Sequence, residues 1–201
     1  MLRSGIAALT VAVLAGLLAS CQGNSEAAAR KYAARADAYA AQQKYEEAVV
    51  EYKNALDSDP KFAEARLKLA DTYMRLRDLR NARLEYIRAA DLTPDDAEMQ
   101  VKAGTALQAV GQFEDAKARA VKALEKDPRS LKAHILLGNA LAGLGDFDEA
   151  IASAQEAISL DPNQSQSYAN LGYLKMAKGN AADAEAAFRK AVDLDLSLIH
   201  I

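Results

Sequence analysis

The sequence predicts an all-α fold of stacked antiparallel helix pairs, and three periodic observations predict it. Proline falls at Pro60, Pro94, Pro128 and Pro162, successive steps of 34 residues. Each proline closes a block whose apolar spacing reads as two short helices. Two columns of alanine run through the blocks: Ala48, Ala82, Ala116, Ala150 and Ala184 at the twentieth position, Ala55, Ala89, Ala123, Ala157 and Ala191 at the twenty-seventh. Glycine stands between the two helices at Gly111, Gly145 and Gly179. A helix pair this short cannot bury its apolar face alone, so pairs must stack, and a stack of similar pairs winds into a superhelix with a concave groove.

Counting back from the prolines gives five blocks, residues 29–62, 63–96, 97–130, 131–164 and 165–195. The first helix of each pair (A) carries large residues at the seventh position, Leu69, Leu137 and Leu171, which fill the space left by the alanines of the second helix (B). Gly104, Gly138 and Gly172 at the eighth position let neighbouring helices approach closely. Position fifteen must turn the chain between A and B, and glycine there accepts the left-handed conformation of a helix C-cap. Proline then stops helix B, behind an aspartate at Asp59, Asp127 and Asp161. After block five the chain ends in Leu196, Ser197, Leu198, Ile199, His200 and Ile201, which is off pattern and offers no polar capping helix. This tail resembles translated adapter read-through, and the expectation is a native gene that continues with more repeats.

With those residues in view, the blocks resemble tetratricopeptide repeats, whose pattern is W-x-x-L-G-x-x-Y followed by A, F, A and P. Block one supplies Tyr32, Tyr39, Ala48, Tyr52, Ala55 and Pro60; block two supplies Leu69, Tyr73, Ala82, Tyr86, Ala89 and Pro94. Blocks three and four place Leu107 and Leu141 at the first tyrosine, and Ala120 and Ala154 at the second aromatic. Block five keeps Tyr168, Leu171, Gly172, Ala184, Phe188 and Ala191 but has Lys175 for the helix-A aromatic and Leu196 where proline belongs. The resemblance implies a right-handed α-α superhelix that binds proteins or peptides in its groove.

The N-terminus carries a second signal. Met1, Leu2 and Arg3 precede an uncharged apolar stretch from Ile6 to Ala19, the outline of a secretory signal over residues 1–20. Fourteen residues span only about 21 Å at roughly 1.5 Å each, short of the roughly 30 Å hydrocarbon core of a bilayer. The stretch ends Leu18, Ala19, Ser20, Cys21, which resembles the lipobox of bacterial lipoproteins. That resemblance implies cleavage before Cys21, acylation of Cys21, and a short lipidated tether over residues 21–28. Two or three acyl chains, at about 0.8 kcal/mol per buried methylene, hold a domain at a bilayer far more firmly than one. Gln22 in place of aspartate implies sorting to the outer membrane, with the chain facing the periplasm. A single cysteine also rules out an internal disulfide.

Composition excludes several function classes. With 25 basic and 28 acidic residues the net charge is −3, and Lys and Arg alternate with Asp and Glu along the helices, so nucleic acid is not an expected partner. Of two histidines, His134 takes the fourth position of its block, the slot of Tyr32 and Tyr168, and reads as a partly buried packing residue; His200 lies in the tail. Asp146, Asp148 and Glu149 lack the glycine and terminal glutamate of a calcium loop and read as the start of a B helix. Neither Gly143 nor Gly145 leads into the lysine and hydroxyl of a phosphate loop. No catalytic residue, metal or cofactor is expected.

The groove is what remains. In this family it is lined by helix-A positions two, five, six, nine, twelve and thirteen. Here these give Glu64, Leu67, Lys68, Asp71, Met74 and Arg75 in block two, and Glu98, Val101, Lys102 and Thr105 in block three. Block four adds Lys132, Ile135 and Asn139, and block five Asn170 and Tyr173. An apolar line, Leu67, Val101 and Ile135, flanked by Lys68, Lys102 and Asn139, suits a segment with apolar anchors and some acidic character. Asn139 and Asn170 match two slots of the family's carboxylate clamp, but Ile135 replaces its first lysine and the third repeat of that motif is missing, so no such clamp is expected. The functional expectation is a non-catalytic scaffold, lipid-anchored in the bacterial envelope, that docks partner proteins for secretion, pilus or exopolysaccharide assembly. The alternative is a docking module for an enzyme whose catalytic domain lies in a missing C-terminal part.

Overall fold

The structure, a computed structural model, describes residues 25–199, with side chains through residue 195. The signal segment, residues 21–24 of the tether with Cys21 among them, and His200–Ile201 lie outside the described residues. Helix α1 covers residues 25–41. It is followed by α2 (Tyr45–Ser58), α3 (Ala63–Arg75), α4 (Leu79–Leu92), α5 (Ala97–Gln108), α6 (Phe113–Lys126), α7 (Leu131–Leu144), α8 (Phe147–Leu160), α9 (Ser165–Ala177) and α10 (Ala181–Ile199). Odd-numbered helices are A helices and even-numbered ones B helices. From α3 onward the A helices start at Ala63, Ala97, Leu131 and Ser165, so the 34-residue step of the sequence is also the step of the fold.

Packing divides the chain into two compact units, one ending at Ala89 and one beginning at Ala90. In the first, Ala36, Ala48, Tyr52, Ala55, Leu69, Tyr73 and Ala82 form one core, with Tyr32, Tyr39, Phe62 and Tyr86 packed around it. In the second, α5 packs on α6, α7 on α8 and α9 on α10 as hairpins, while α6 meets α7, and α8 meets α9. Both alanine columns are interior: the ten side chains at positions twenty and twenty-seven range from 0 to 7% exposed. The B helices show why. They bury residues at i, i+4 and i+7, as with Ala116, Ala120 and Ala123 in α6, and one methyl per contact lets the paired axes come close. At Gly172 a β-carbon would stand 2.7 Å from the Phe188 ring, so glycine is what admits that aromatic.

Local chemistry sets the helix ends. Asp96 Oδ1 accepts the Met99 N–H at 3.1 Å and Ser130 Oγ that of Ala133 at 3.3 Å, capping α5 and α7. The Asp-Pro turns are held by their own carboxylates: Asp59, Asp127 and Asp161 accept the backbone N–H two residues on, at 2.9 to 3.1 Å. Position fifteen is left-handed in every block. Gly111, Gly145 and Gly179 adopt φ of 77°, 88° and 88°, and Gln43 and Arg77 adopt 60° and 59° in the same slot. A side chain in this region costs roughly 1–2 kcal/mol, against the 0.5–1 kcal/mol that glycine's larger unfolded-state freedom costs. Arg77→Gly is therefore expected to stabilise the chain by about 0.5–1 kcal/mol, read as a thermal midpoint raised by a few degrees. Gly145→Ala is expected to lower it. The tail departs from expectation in one respect: α10 runs in helical register through Ile199.

Candidate functional site

The A helices present the residues that the sequence assigns to the groove. In the first unit, Glu64, Met74 and Arg75 are exposed and Leu67, Lys68 and Asp71 half-buried. Lys68 is not an open cation. Its Nζ lies 2.9 Å from Asp37 Oδ2 and 2.9 Å from Glu64 Oε1, so its charge is already met by two carboxylates. Burial lowers the affinity of its ammonium for the proton, but the hydrogen bonds to Asp37 and Glu64 more than offset this and hold its pKa above the ordinary lysine value. Lys68 thus stands on the groove face already bridged to two carboxylates of its own chain.

Asp37 and Asp71 on this face are each held by a tyrosine hydroxyl. Tyr52 donates its hydroxyl to Asp37 Oδ1 and Tyr86 donates to Asp71 Oδ1, each at 2.5 Å. Both pairs join position nine of helix A to position twenty-four of helix B within one hairpin. Burial, then the hydrogen-bonded aspartate, pushes both phenols well above the ordinary tyrosine pKa. Sequence reading missed this pair although its signal is present: Asp and Tyr stand fifteen residues apart in blocks one and two only. Elsewhere the same two positions hold Thr105 with Ala120, Asn139 with Ala154, and Tyr173 with Phe188.

In the second unit Val101 does not belong to an accessible groove. It is 7% exposed, because α5 packs against both α6 and α7. Its neighbours on the A face remain reachable: Glu98, Thr105 and Lys132 are exposed, Lys102 half-buried. Further along, α7, α8 and α9 bring Ile135, Asn139 and Asn170 to the rim of one pocket whose floor is Gly138, Ala154 and Leu174. Asn170 Oδ1 accepts from Gln166 Nε2 at 3.0 Å, which leaves its amide N–H groups to point elsewhere. Tyr173 is 67% exposed and meets the Phe188 ring edge-on, centroids 5.0 Å apart. His134 is half-buried on α7, with Nε2 3.1 Å from the Pro128 carbonyl oxygen, tying the preceding turn to that helix.

Among the described residues no three His, Cys, Asp or Glu side chains converge as a metal site, and no helix is long and apolar enough to cross a membrane.

Tetratricopeptide-repeat family models match residues 36–76, 63–96, 101–165 and 141–196. No curated protein matches the chain in sequence. Among solved structures, MamA from Desulfovibrio magneticus RS-1 is 22% identical and superposes with a TM-score of 0.76 over 84% of this chain and 96% of its own. MamA of MSR-1 is 28% identical with a TM-score of 0.71 over 84% of this chain and 97% of its own. YrrB, described as a TPR protein with an unusual peptide-binding site, is 23% identical with a TM-score of 0.71 over 81% of this chain and 84% of its own.

Proposed function

Because this chain belongs to the tetratricopeptide-repeat proteins, whose all-α superhelical fold class it shares, we propose that it is a non-catalytic interaction scaffold that holds a segment of another protein against its A helices. The observation that carries this reading is the small cleft of the second unit, where Ile135, Asn139 and Asn170 come together over Gly138, Ala154 and Ser167. Carboxamides both donate and accept, so a pair of them matches the N–H and C=O groups of a peptide backbone laid across the helices, with Ile135 beside them as an apolar contact. The peptide-binding site described for YrrB is consistent with this use of the fold.

The test is photo-crosslinking in cells from a benzophenone amino acid at Tyr173, comparing the natural chain with Ile135→Asp and Asn170→Ala. Loss of the same crosslinked partner in both variants is the expected result. An unchanged set of partners removes the pocket from consideration.

We further propose that the scaffold works at a bacterial envelope, anchored through acylated Cys21 and facing the periplasm from the outer membrane. Support comes from the run Leu18, Ala19, Ser20, Cys21 behind an apolar leader. Cys21→Ser is expected to accumulate as an uncleaved precursor lacking incorporated palmitate. Palmitate labelling that survives the substitution counts against the anchor.

A further inference from the structure

Neither Asp nor Glu occurs in α7 or α9, the two A helices that form the cleft; their charged side chains are Lys132 and Lys175. The two cations differ in what surrounds them. Lys175 Nζ is met by Asp183 Oδ2 at 3.4 Å. Lys132 is exposed, and among the described residues no ion pair forms at it, Glu98 of the neighbouring α5 included.

The folding of α7 does not call for a cation at this place. Lys132 is the second residue of its helix, and the second residues of α3 and α5 are Glu64 and Glu98. An acidic side chain there complements the positive end of the helix dipole, whereas a lysine opposes it. Lys132, Ile135 and Asn139 follow one another at three and four residues, so they make one line along α7, with neighbouring Cβ atoms about 5–6 Å apart. Ile135 and Asn139 line the cleft together with Asn170, and Lys132 stands one turn outside it.

Taking the cleft as the docking site, we propose that the segment it holds is acidic, with an Asp or Glu side chain within two residues of its apolar anchor paired to Lys132. An extended chain advances about 3.3 Å per residue. A segment whose apolar side chain meets Ile135 therefore brings the carboxylate of a residue one or two places away within reach of the Lys132 ammonium. The carboxylate belongs to a side chain and not to a chain end, since a terminus offers two oxygens to converging donors, while Lys132 is a single point charge beside an aliphatic neighbour.

The experiment selects random 12-residue peptides, displayed on phage, against the full-length chain in a mild non-ionic detergent, and measures the selected peptides by fluorescence anisotropy. They are expected to carry Asp or Glu within two residues of an apolar residue. Replacing that acid by its amide is expected to weaken binding about two- to fivefold, and less at high salt. Lys132→Glu is expected to invert the preference, so that a peptide with lysine in place of the acid binds better than its acidic parent. The variant restores the acidic helix start seen in α3 and α5, and circular dichroism is expected to show it melting no lower than the natural chain. Amidating the peptide C-terminus is expected to leave affinity unchanged; a loss on amidation assigns the carboxylate to a chain end and overturns the proposal. Peptides that fail to bind Ile135→Asp yet show no acid preference, or keep the same preference against Lys132→Glu, leave the cleft as the docking site and overturn its acidic partner. Peptides indifferent to Ile135→Asp, or a selection that enriches no acidic segment, overturn the proposal as well.

Discussion

Tyr52→Ala is expected to lower stability by about 3–5 kcal/mol, the range for deleting a large aromatic from a packed core. Tyr52 is 2% exposed and sits among Ala36, Ala48, Ala55 and Leu69, whose side chains are too short or too constrained to close the space it leaves. The loss has two parts. Dispersion and apolar burial go with the ring, while the hydroxyl takes with it a charge-assisted hydrogen bond to Asp37, a class that contributes about 1.5–3 kcal/mol. Tyr52→Phe separates them and is expected to cost only about 1–2 kcal/mol, since Asp37 keeps Lys68 as a partner. For a domain whose total stability is about 5–15 kcal/mol, the alanine change is enough to expose α2 and α3 amides to rapid hydrogen exchange. A loss below about 1 kcal/mol in urea denaturation sinks the account of this core.

The same tyrosines give the chain an alkaline limit. Folding holds the Tyr52 and Tyr86 phenols above their ordinary value near 10, by burial and by donation to Asp37 and Asp71. The unfolded chain therefore binds fewer protons above about pH 10, so stability is whole below that pH and falls as pH climbs beyond it. Replacing both tyrosines with phenylalanine is expected to flatten that decline, and a slope unchanged by the pair of substitutions assigns it elsewhere.

How much of this was legible depends on whether one physical demand falls on a position in every block. Close approach of helix pairs is such a demand, so the alanine columns could be read directly and all ten lie inside. A tight turn at position fifteen is another, but glycine meets it in only three blocks. Gln43 and Arg77 meet it at a steric cost, which hides the turn from a reading that looks for glycine. Cross-helix pairs are harder still, because the demand falls on two positions jointly. Asp37 with Tyr52 and Tyr173 with Phe188 occupy the same two slots with unrelated chemistry, so neither slot shows a column. Exposure on the A face fails for a third reason: Leu67, Val101 and Ile135 are equivalent in sequence, yet cover by a neighbouring helix buries Val101 alone. Lys68 shows the limit for charge, since its partners Asp37 and Glu64 lie 31 and 4 residues away and only the latter spacing is visible in a helix.

Glu85→Ala is expected to be the most damaging change at a charged residue, at about 2–4 kcal/mol. Glu85 is 8% exposed and joins two arginines: Arg66 Nη1 to Oε2 at 2.7 Å and Arg88 Nη1 to Oε1 at 2.5 Å. The two contacts are unequal. Arg88 has a side chain 57% exposed and turns to water when the carboxylate is gone, so its bridge contributes at most about 1 kcal/mol. Arg66 is only 16% exposed and cannot leave, because Nε and Nη2 also donate to the Pro60 carbonyl oxygen at 3.2 and 2.8 Å. Its guanidinium is left buried with one face unmet, and that desolvation outweighs the lost attraction itself. Two further variants distinguish these effects. Glu85→Gln keeps the shape and one acceptor and is expected to lose about half as much as alanine. Arg66→Met with Glu85→Leu removes both charges together and is expected to fall within about 1 kcal/mol of the natural chain, as apolar replacements of buried pairs do. If the double replacement proves as damaging as Glu85→Ala alone, the loss comes from packing around α3 and α4 and not from a stranded arginine.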